Sequence, residues 1–315
     1  MIFFGENSSG IFRLPSAAKI EIDSEVGVAA DSLCVVFVSA ELPQLWRIYG
    51  CSDDCLNVGQ IFTKGKMVFL GIVDEQRVVQ TGSGVSVTIT ARSPAAAALD
   101  CECESGQYTD ASAEVMFSQH LERFGIKNGS GDKSGTGVLN IPKGVSHYEA
   151  VGRFCRQILN TEPRINSVGV FYWNAFQDSE EIVFDNDAGV GFWCAEYIEK
   201  RCERISGVIV NTDGGVCVCE DEEAARNGVV RERRLDLRSS ATGTLSDADR
   251  LIDRGRRKSE QLRLWCSGYT GDIVGMKAKV EGTPMNTDDG DVYVTAVKYI
   301  SDQNGERTRV TLGRS

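Results

Sequence analysis

The chain has 315 residues, 42% apolar and 25% charged, enough for two or three folded domains and unlike the composition of a disordered chain. A formal charge of −11 excludes general nucleic-acid binding, which needs a cationic face against phosphate. No apolar run approaches the roughly 20 residues of a membrane helix, and MIFFGENSSG lacks the basic start and apolar length of a signal peptide, so synthesis and folding are expected in the cytoplasm.

Residues 17–27 alternate through Ile20, Ile22 and Val26, residues 33–39 form a uniformly apolar strand, and Trp46 to Tyr49 make another before the polar loop GCSDDCLNVG. Val68, Leu70 and Ile72 then alternate with Phe69, Gly71 and Val73. Val85, Val87 and Ile89 alternate with Ser86, Thr88 and Thr90. Period two with β-branched residues predicts half-buried antiparallel strands, and QTGSG supplies the glycines for the reversal between them. Pro94 cannot continue the ladder, and the alanine run after it favours a helical turn. These strands predict an all-β barrel or sandwich, assigned as a first β-barrel domain over 1–98.

The pattern changes near Asp100. Ala113, Phe117, Leu121 and Phe124 recur at helical spacing over about Ala111–Phe124, with Gly125 at the C′ position and Ile126 beyond it. The Gly/Ser-rich KNGSGDKSGTG follows as a loop. Ser146 and Glu149 have capping-box spacing, and Ala150, Val151, Phe154, Cys155, Ile158 and Leu159 make one apolar stripe behind them. The strands INSVGVFYW, EEIVFDN and GVGFWCAEYI complete a small α/β insertion over 99–205. ISGVIVNT and GGVCVCED read as a hairpin around Thr212–Gly215. A helix is expected over about 246–264, its less polar face being Ala248, Leu251, Ile252, Gly255, Ser259 and Leu262. The chain closes on a hairpin turning at Gln303-Asn304-Gly305, with Val292, Val294, Ala296 and Lys298 on one face. The predicted fold is β-rich α+β: a barrel, an α/β insertion and a second barrel over 206–315.

Candidate chemistry is sparse. Eleven cysteines are expected as free thiols, several of them (Cys34, Cys155, Cys217, Cys219) acting as small hydrophobes. His147, at N1 of a capped helix, is expected to face solvent, and His120 to be partly buried. No Cys–His catalytic pair is close in sequence. Cys101-x-Cys103 and Cys217-x-Cys219 each place two thiols on one strand face, but zinc sites more often repeat C-x₂₋₄-C, and Cys51-x₃-Cys55 stands alone. No metal or cofactor is expected. Glu180-Glu181 and Asp288-Asp289 sit in turn-like stretches, where adjacent residues diverge. GSGDKSGTG lacks the order of a phosphate-binding loop, and G-x-S-x-G and H-E-x-x-H are absent. Trp173 and Trp193 lie in apolar strand contexts and are expected in the core. One basic segment stands out: eleven Arg or Lys between Arg226 and Arg263. It reads either as a solvated face with i,i+4 pairs such as Asp253–Arg257, or as a contact for an acidic partner through Arg231, Arg233, Arg234, Arg238, Arg256 and Arg257.

The segment FLGIVDEQRVV…GVSVTITARSPAAAALD resembles the first-barrel hairpin of phage baseplate hub proteins, the late-control D and tail-hub family of contractile phages, defective prophages and phage-tail bacteriocins. The matching residues are Phe69, Gly71, Val73 and Asp74, then Ala91-Arg92-Ser93, then Ala95 to Asp100; Ala91 stands where the family has glycine. Arg123-Phe124-Gly125-Ile126 and the closing YVTAVKYISDQNGERTRVTLG are similar to family pieces in the same order. The resemblance implies a homotrimer of two-barrel subunits whose ring joins a sixfold tail tube to a threefold spike. Its implied partners are itself, the tail tube protein, the central spike protein, and tape-measure and other baseplate proteins. It implies no enzymatic role, and a place in the tail baseplate after assembly in the cytoplasm. Asp74 and Arg92 would fix a barrel corner or a subunit contact. The alternatives are a tail-associated cell-wall hydrolase and a β-barrel module binding carbohydrate or protein.

Overall fold

The computed structural model describes residues 1–38, 42–52, 66–82, 84–131, 133–236, 246–282 and 292–314. Seven strands open the chain: β1 (Ile2–Asn7), β2 (Gly10–Arg13), β3 (Ala17–Glu25), β4 (Ser32–Val38), β5 (Arg47–Cys51), β6 (Met67–Thr81) and β7 (Gly84–Arg92). Alternation does here what it predicts: Leu33, Val35 and Phe37 of β4 and Val87 and Ile89 of β7 point into one core with Ile48 and Phe69. β6 and β7 pair antiparallel from Thr81↔Gly84 up to Ile72↔Arg92, with an irregularity between Val73 and Glu75. Pro94 closes the ladder, and α1 (Ala95–Asp100) buries Ala95, Ala96 and Ala98.

Those alanines pack into a separate helical core. Its elements are β8 (Gly106–Ser112), α2 (Ala113–His120), β9 (Lys127–Asn128), β10 (Thr136–Ile141), α3 (His147–Phe154), β11 (Arg164–Ile165) and β12 (Val170–Tyr172). Ser112 caps α2, and a 3₁₀ turn at Glu122–Phe124 ends at Gly125 with φ +74°, a conformation open to glycine. The capping box at the start of α3 is complete, with Ser146 accepting from the Glu149 amide and Glu149 accepting from the Ser146 amide. Phe154, Phe171 and Trp173 meet edge-to-face in this core.

β13 (Gln177–Phe184) and β14 (Phe192–Glu199), expected within the insertion, hydrogen-bond instead to strands of the C-terminal third. β15 (Gly207–Thr212), β16 (Gly215–Glu220), α4 (Glu222–Arg226) and β17 (Glu232–Asp236) follow. The three strands form their own sheet in the order β16-β15-β17. α5 (Ser246–Ser259) packs Ala248 and Ile252 on that sheet's Val208 and Val210. The expected helix runs five residues too far: it stops at Ser259, and β18 (Glu260–Ser267) begins at once. Leu262, Leu264 and Cys266 alternate inward there, so period two wins over a helical stripe that had borrowed Leu262.

β19 (Met276–Val280), β20 (Val292–Asp302) and β21 (Gly305–Arg314) complete the chain. A bulge between Val294 and Ala296 reverses the facing along β20. Val292 and Val294 point into the core before it and Val297 and Tyr299 after it, so Ala296 and Lys298 do not share the valine face.

The large sheet holds 13 strands: eleven follow the path β14-β18-β21-β20-β3-β4-β7-β6-β5-β1-β2, and β19 pairs β20 off that path with β13 beyond it. One register line of inward side chains crosses it through Ala91, Leu33, Ile22, Tyr299, Thr308 and Cys266, all of them buried. The neighbouring line carries Arg92, Ser32, Asp23, Lys298, Arg309 and Trp265 on the other face. N-terminal and C-terminal strands are therefore one hydrogen-bonded surface, joined where β3 pairs β20.

Candidate functional site

Arg92 ends β7, one residue after the ladder turns from the core. Its Nε and Nη2 donate to the two Asp74 oxygens at 2.8 and 2.9 Å, and its Nη1 and Nη2 donate to Asp100 at 3.1 and 2.7 Å. The fork geometry of guanidinium lets one side chain hold β6, β7 and α1 together. Hydrogen bonds from Arg92 hold the Asp100 carboxyl below its ordinary range. All three groups remain a third or more open to water, so the clamp is a corner fastening on a solvated surface.

The basic segment divides. Arg256 is turned inward: its Nε donates to Asp221 Oδ2 at 2.8 Å, and Asp221 is fully buried. Burial opposes that charge, but Arg256, the Ala224 amide and Arg204 outweigh it and lower the Asp221 pKa. Arg257 lies over the Phe176 ring at 5.1 Å, half-buried, and burial lowers its pKa. Beside it a cleft of about 630 Å³ is lined by Val28, Phe176, Arg250, Leu251 and Arg254 among others. Arg231 donates to the Arg201 carbonyl at 2.8 Å. Arg233 and Arg234 are exposed on β17, an edge strand of its sheet. Arg238 lies outside the described residues. The sequence-predicted arginines are thus not brought together on one face: Arg256 is structural, and Arg233 and Arg234 are open.

A junction with no sequence signal lies elsewhere. Arg164, 3% exposed, donates to Asp272 at 2.6 Å and lies 3.9 Å from Asp31, itself 2% exposed. Asn166 holds the second Asp272 oxygen at 2.8 Å. Asp31 comes from the β3–β4 turn, Arg164 from β11, and Asp272 from the segment before β19. At 3.9 Å the Asp31 contact is too long for a hydrogen bond, and its Oδ2 has no donor. Desolvation raises the Asp31 pKa to about 7 against the pull of Arg164. Three residue types scattered over 241 positions carry no periodicity that sequence reading can detect.

The two histidines meet. Their Nδ1 atoms are 3.0 Å apart, and Tyr108 lies 3.1 Å from His120 Nε2. His147 is 6% exposed, not solvent-facing as its N1 position suggested, because α2 packs against the first turn of α3. Burial, then His147 and Arg123, push the His120 pKa down to about 4. One proton shared between neutral rings satisfies this geometry. Cys103 is buried with its Sγ on the Val145 carbonyl, while Cys101 is exposed, so the two thiols do not share a face. Among the described residues, no three His, Cys, Asp or Glu side chains converge as metal ligands. Glu180's side chain, Cys55, Asp288 and Asp289 lie outside the described set.

Trp173 is core, but Trp193 is 63% exposed and stacks on Trp265 with centroids 5.9 Å apart. The β14–β18 register shifts between Phe192 and Cys194, which puts Trp193 in a bulge and turns it outward. An apolar run gives no warning of a bulge.

No protein family and no curated protein matches this chain. Solved structures do. A 43 kDa tail protein of prophage MuSo2 from Shewanella oneidensis is 16% identical with a TM-score of 0.74, the likeness covering 100% of this chain and 98% of that one. A tail protein from Neisseria meningitidis MC58 is 13% identical with a TM-score of 0.69, over 100% and 96%. The Escherichia coli protein c3393, a component of the type VI secretion system with structural similarity to the T4 tail proteins gp27 and gp5, is 8% identical with a TM-score of 0.55, over 95% and 74%. The chain has the fold of the Shewanella and Neisseria tail proteins over its whole length.

Proposed function

We propose that this protein is a structural baseplate hub of a contractile tail or tail-like particle. Three copies form a ring that joins a sixfold tail tube to a threefold spike, and none of its residues performs catalysis. The observation that carries the reading is the end-to-end likeness to prophage tail proteins, which spans the barrel strands and the inserted helical core alike. The continuous large sheet supports it too: in this reading the strands of 1–98 supply one tube-like barrel and the helical block that begins at 99 is the insertion, while β13 and β14, inside 99–205, pair with β19 and β18 and so belong with the second barrel of 206–315 around β18, β20 and β21. Its partners are then itself, the tube protein above, the spike protein below, and tape-measure and other baseplate proteins. After assembly in a bacterial cytoplasm its place is the baseplate of a phage, prophage particle or bacteriocin. Among the described residues no helix is long and apolar enough to cross a membrane.

Mass in solution with negative-stain imaging tests this: a trimer mass and a threefold ring are the expected result. A cell-wall hydrolase would instead clear a peptidoglycan zymogram. The exposed Trp193 favours a second reading, a module that binds carbohydrate or protein through an aromatic platform.

A further inference from the structure

Two faces of α5 have different work. Ala248 and Ile252 pack on the small sheet, and Arg256 turns to the buried Asp221. Asp247, Arg250, Leu251, Arg254, Arg257 and Lys258 recur every three or four residues, so they share another face, and that face lines the cleft of about 630 Å³. The facing walls are the β3–β4 turn at Val26 and Val28, the end of the helical block at Asn160 and Thr161, and Phe176. The volume lies within the roughly 300–1,000 Å³ of ligand sites.

The charges of this cleft are unevenly used. Arg250 donates to Asp247, to the Arg156 carbonyl at 3.0 Å and to Asn160 at 3.1 Å, which ties α5 to the helical block. Glu162 lies 3.5 Å from Arg156, and Asp253 lies 3.8 Å from Arg256. Among the described residues, Arg254, Arg257 and Lys258 have no carboxylate within ion-pair distance, and of the cleft's carboxylates only Glu25 has no cation. Arg257 is half-buried over the Phe176 ring and has no hydrogen-bond acceptor among the described residues. Asp253 and Glu162 are near enough to pull on it, but each sits within ion-pair distance of another arginine. A cation drawn that far from water is costly until an anion joins it.

We propose that this cleft takes a short acidic segment of a protein partner, with its carboxylates on Arg254, Arg257 and Lys258 and its apolar side chains on Val28, Phe176 and Leu251. Arg254 and Lys258 stand one turn apart, about 6 Å along the helix, and alternate residues of an extended segment stand about 6.6 Å apart on one side. Two carboxylates at alternate positions therefore reach both cations, as arginine and carboxylate geometry favours. Three unpartnered cations against one unpartnered carboxylate leave the cleft positive on a chain of formal charge −11. A nucleic-acid strand would run on beyond the cleft into that negative field, whereas a short segment does not. That the occupant is a protein rests on the hub reading; the positive charge of the cleft does not.

The test is fluorescence anisotropy of a labelled peptide, Gly-Glu-Leu-Glu-Leu-Gly, with the same peptide carrying Gln for Glu as control. The proteins are the wild type, Arg254→Gln, Arg257→Gln and Arg233→Gln. Arg254 is exposed, so its variant should fold even where Arg257→Gln does not; thermal unfolding checks both. The Glu peptide is expected to bind the wild type at about 50 mM salt and to weaken as salt rises. Arg254→Gln and Arg257→Gln should each weaken binding about tenfold or more, and Arg233→Gln, exposed on β17 outside the cleft, should leave it unchanged. No binding of the Glu peptide, equal binding of the Gln peptide, or binding untouched by Arg254→Gln and Arg257→Gln overturns the assignment. Citrate or an oligo-dT that displaces the label at lower concentration than the unlabelled peptide would overturn it too, giving the cleft to a small anion or to nucleic acid. Light scattering on the same samples separates this from the hub reading. A trimer that ignores the peptide overturns the cleft assignment alone, and a monomer that binds it through Arg254 overturns the hub reading alone.

Discussion

The Arg164 guanidinium donates to the Asp272 carboxylate at 2.6 Å across 108 positions of sequence. With Asp31 close by, this one cation stands where the β3–β4 turn, the helical block and the C-terminal strands converge. Arg164→Leu leaves Asp31 buried and Asp272 partly buried without a cation. The expected loss is about 3–5 kcal/mol in urea unfolding, because an uncompensated buried charge costs more than the pair contributes. Adding Asp31→Asn and Asp272→Asn should recover a large share of it. A loss below about 1 kcal/mol would show that the junction is looser than the 2.6 Å contact implies.

Asp31 makes stability depend on pH. Its folded pKa is raised from 3.8 to about 7 by burial. The folded chain therefore binds a proton that the unfolded chain releases between those values. This contribution is fully present below about pH 4 and is lost as pH rises through about 7. Thermal melts from pH 5 to 9 should show a decline for the wild type that Asp31→Asn lacks.

The histidine pair has the opposite sign. Burial pushes His120 from 6.5 to about 4 and also lowers His147. Here the unfolded chain binds protons that the folded chain refuses. Stability is full above about pH 6.5 and falls as pH drops toward 4. The groups around the pair are Tyr108, Phe124 and the cation Arg123, whose charge opposes a second positive charge there. On an Asp31→Asn background, where the opposing carboxyl is silent, denaturant midpoints should fall between pH 7 and 5. Adding His120→Gln should flatten that slope.

Arg92 holds two carboxylates yet stays a third exposed. Arg92→Ala should cost about 1 kcal/mol, and about 0.5 M salt should erase much of the difference from wild type. Arg92→Lys should not restore it, since an ammonium cannot donate two parallel bonds to both partners.

Gly275 has φ +93°, and a Cβ there would lie 1.8 Å from the Ala175 carbonyl oxygen. Its own carbonyl accepts from Gln177 at 2.9 Å, so the two segments are laced together at this point. Gly275→Ala should destabilise by more than about 2 kcal/mol, through strain and backbone displacement together. A melt unchanged from wild type would contradict that close approach.

Local pattern carried much of the fold. The alternation in β4, β6 and β7, the complete capping box at Ser146 and Glu149, and the closing hairpin at Asn304-Gly305 were all legible, because each is set by residues within a few positions of one another. Asp74 and Arg92 were singled out through the family-like hairpin, but the bond between them was not, because it depends on the β6–β7 register. Other features were misread where pattern and register part. The helix beyond Ser259 was continued because Leu262 fits both periods. The facing of Val294 and Ala296 was misjudged, and Trp193 was placed in the core, because a bulge adds one residue to a strand without marking it in the composition.

By itself, then, the sequence determined which segments would be strands and helices and which faces would be apolar, since those depend on near neighbours and on period. Only the tertiary structure decided that β3 pairs β20 to make one sheet from both ends of the chain. It alone brought Asp31, Arg164 and Asp272 to one point, and His120 against His147. Such contacts join groups tens to hundreds of positions apart, and the free energy that selects them comes from burial and charge pairing in the assembled core, which no local window contains.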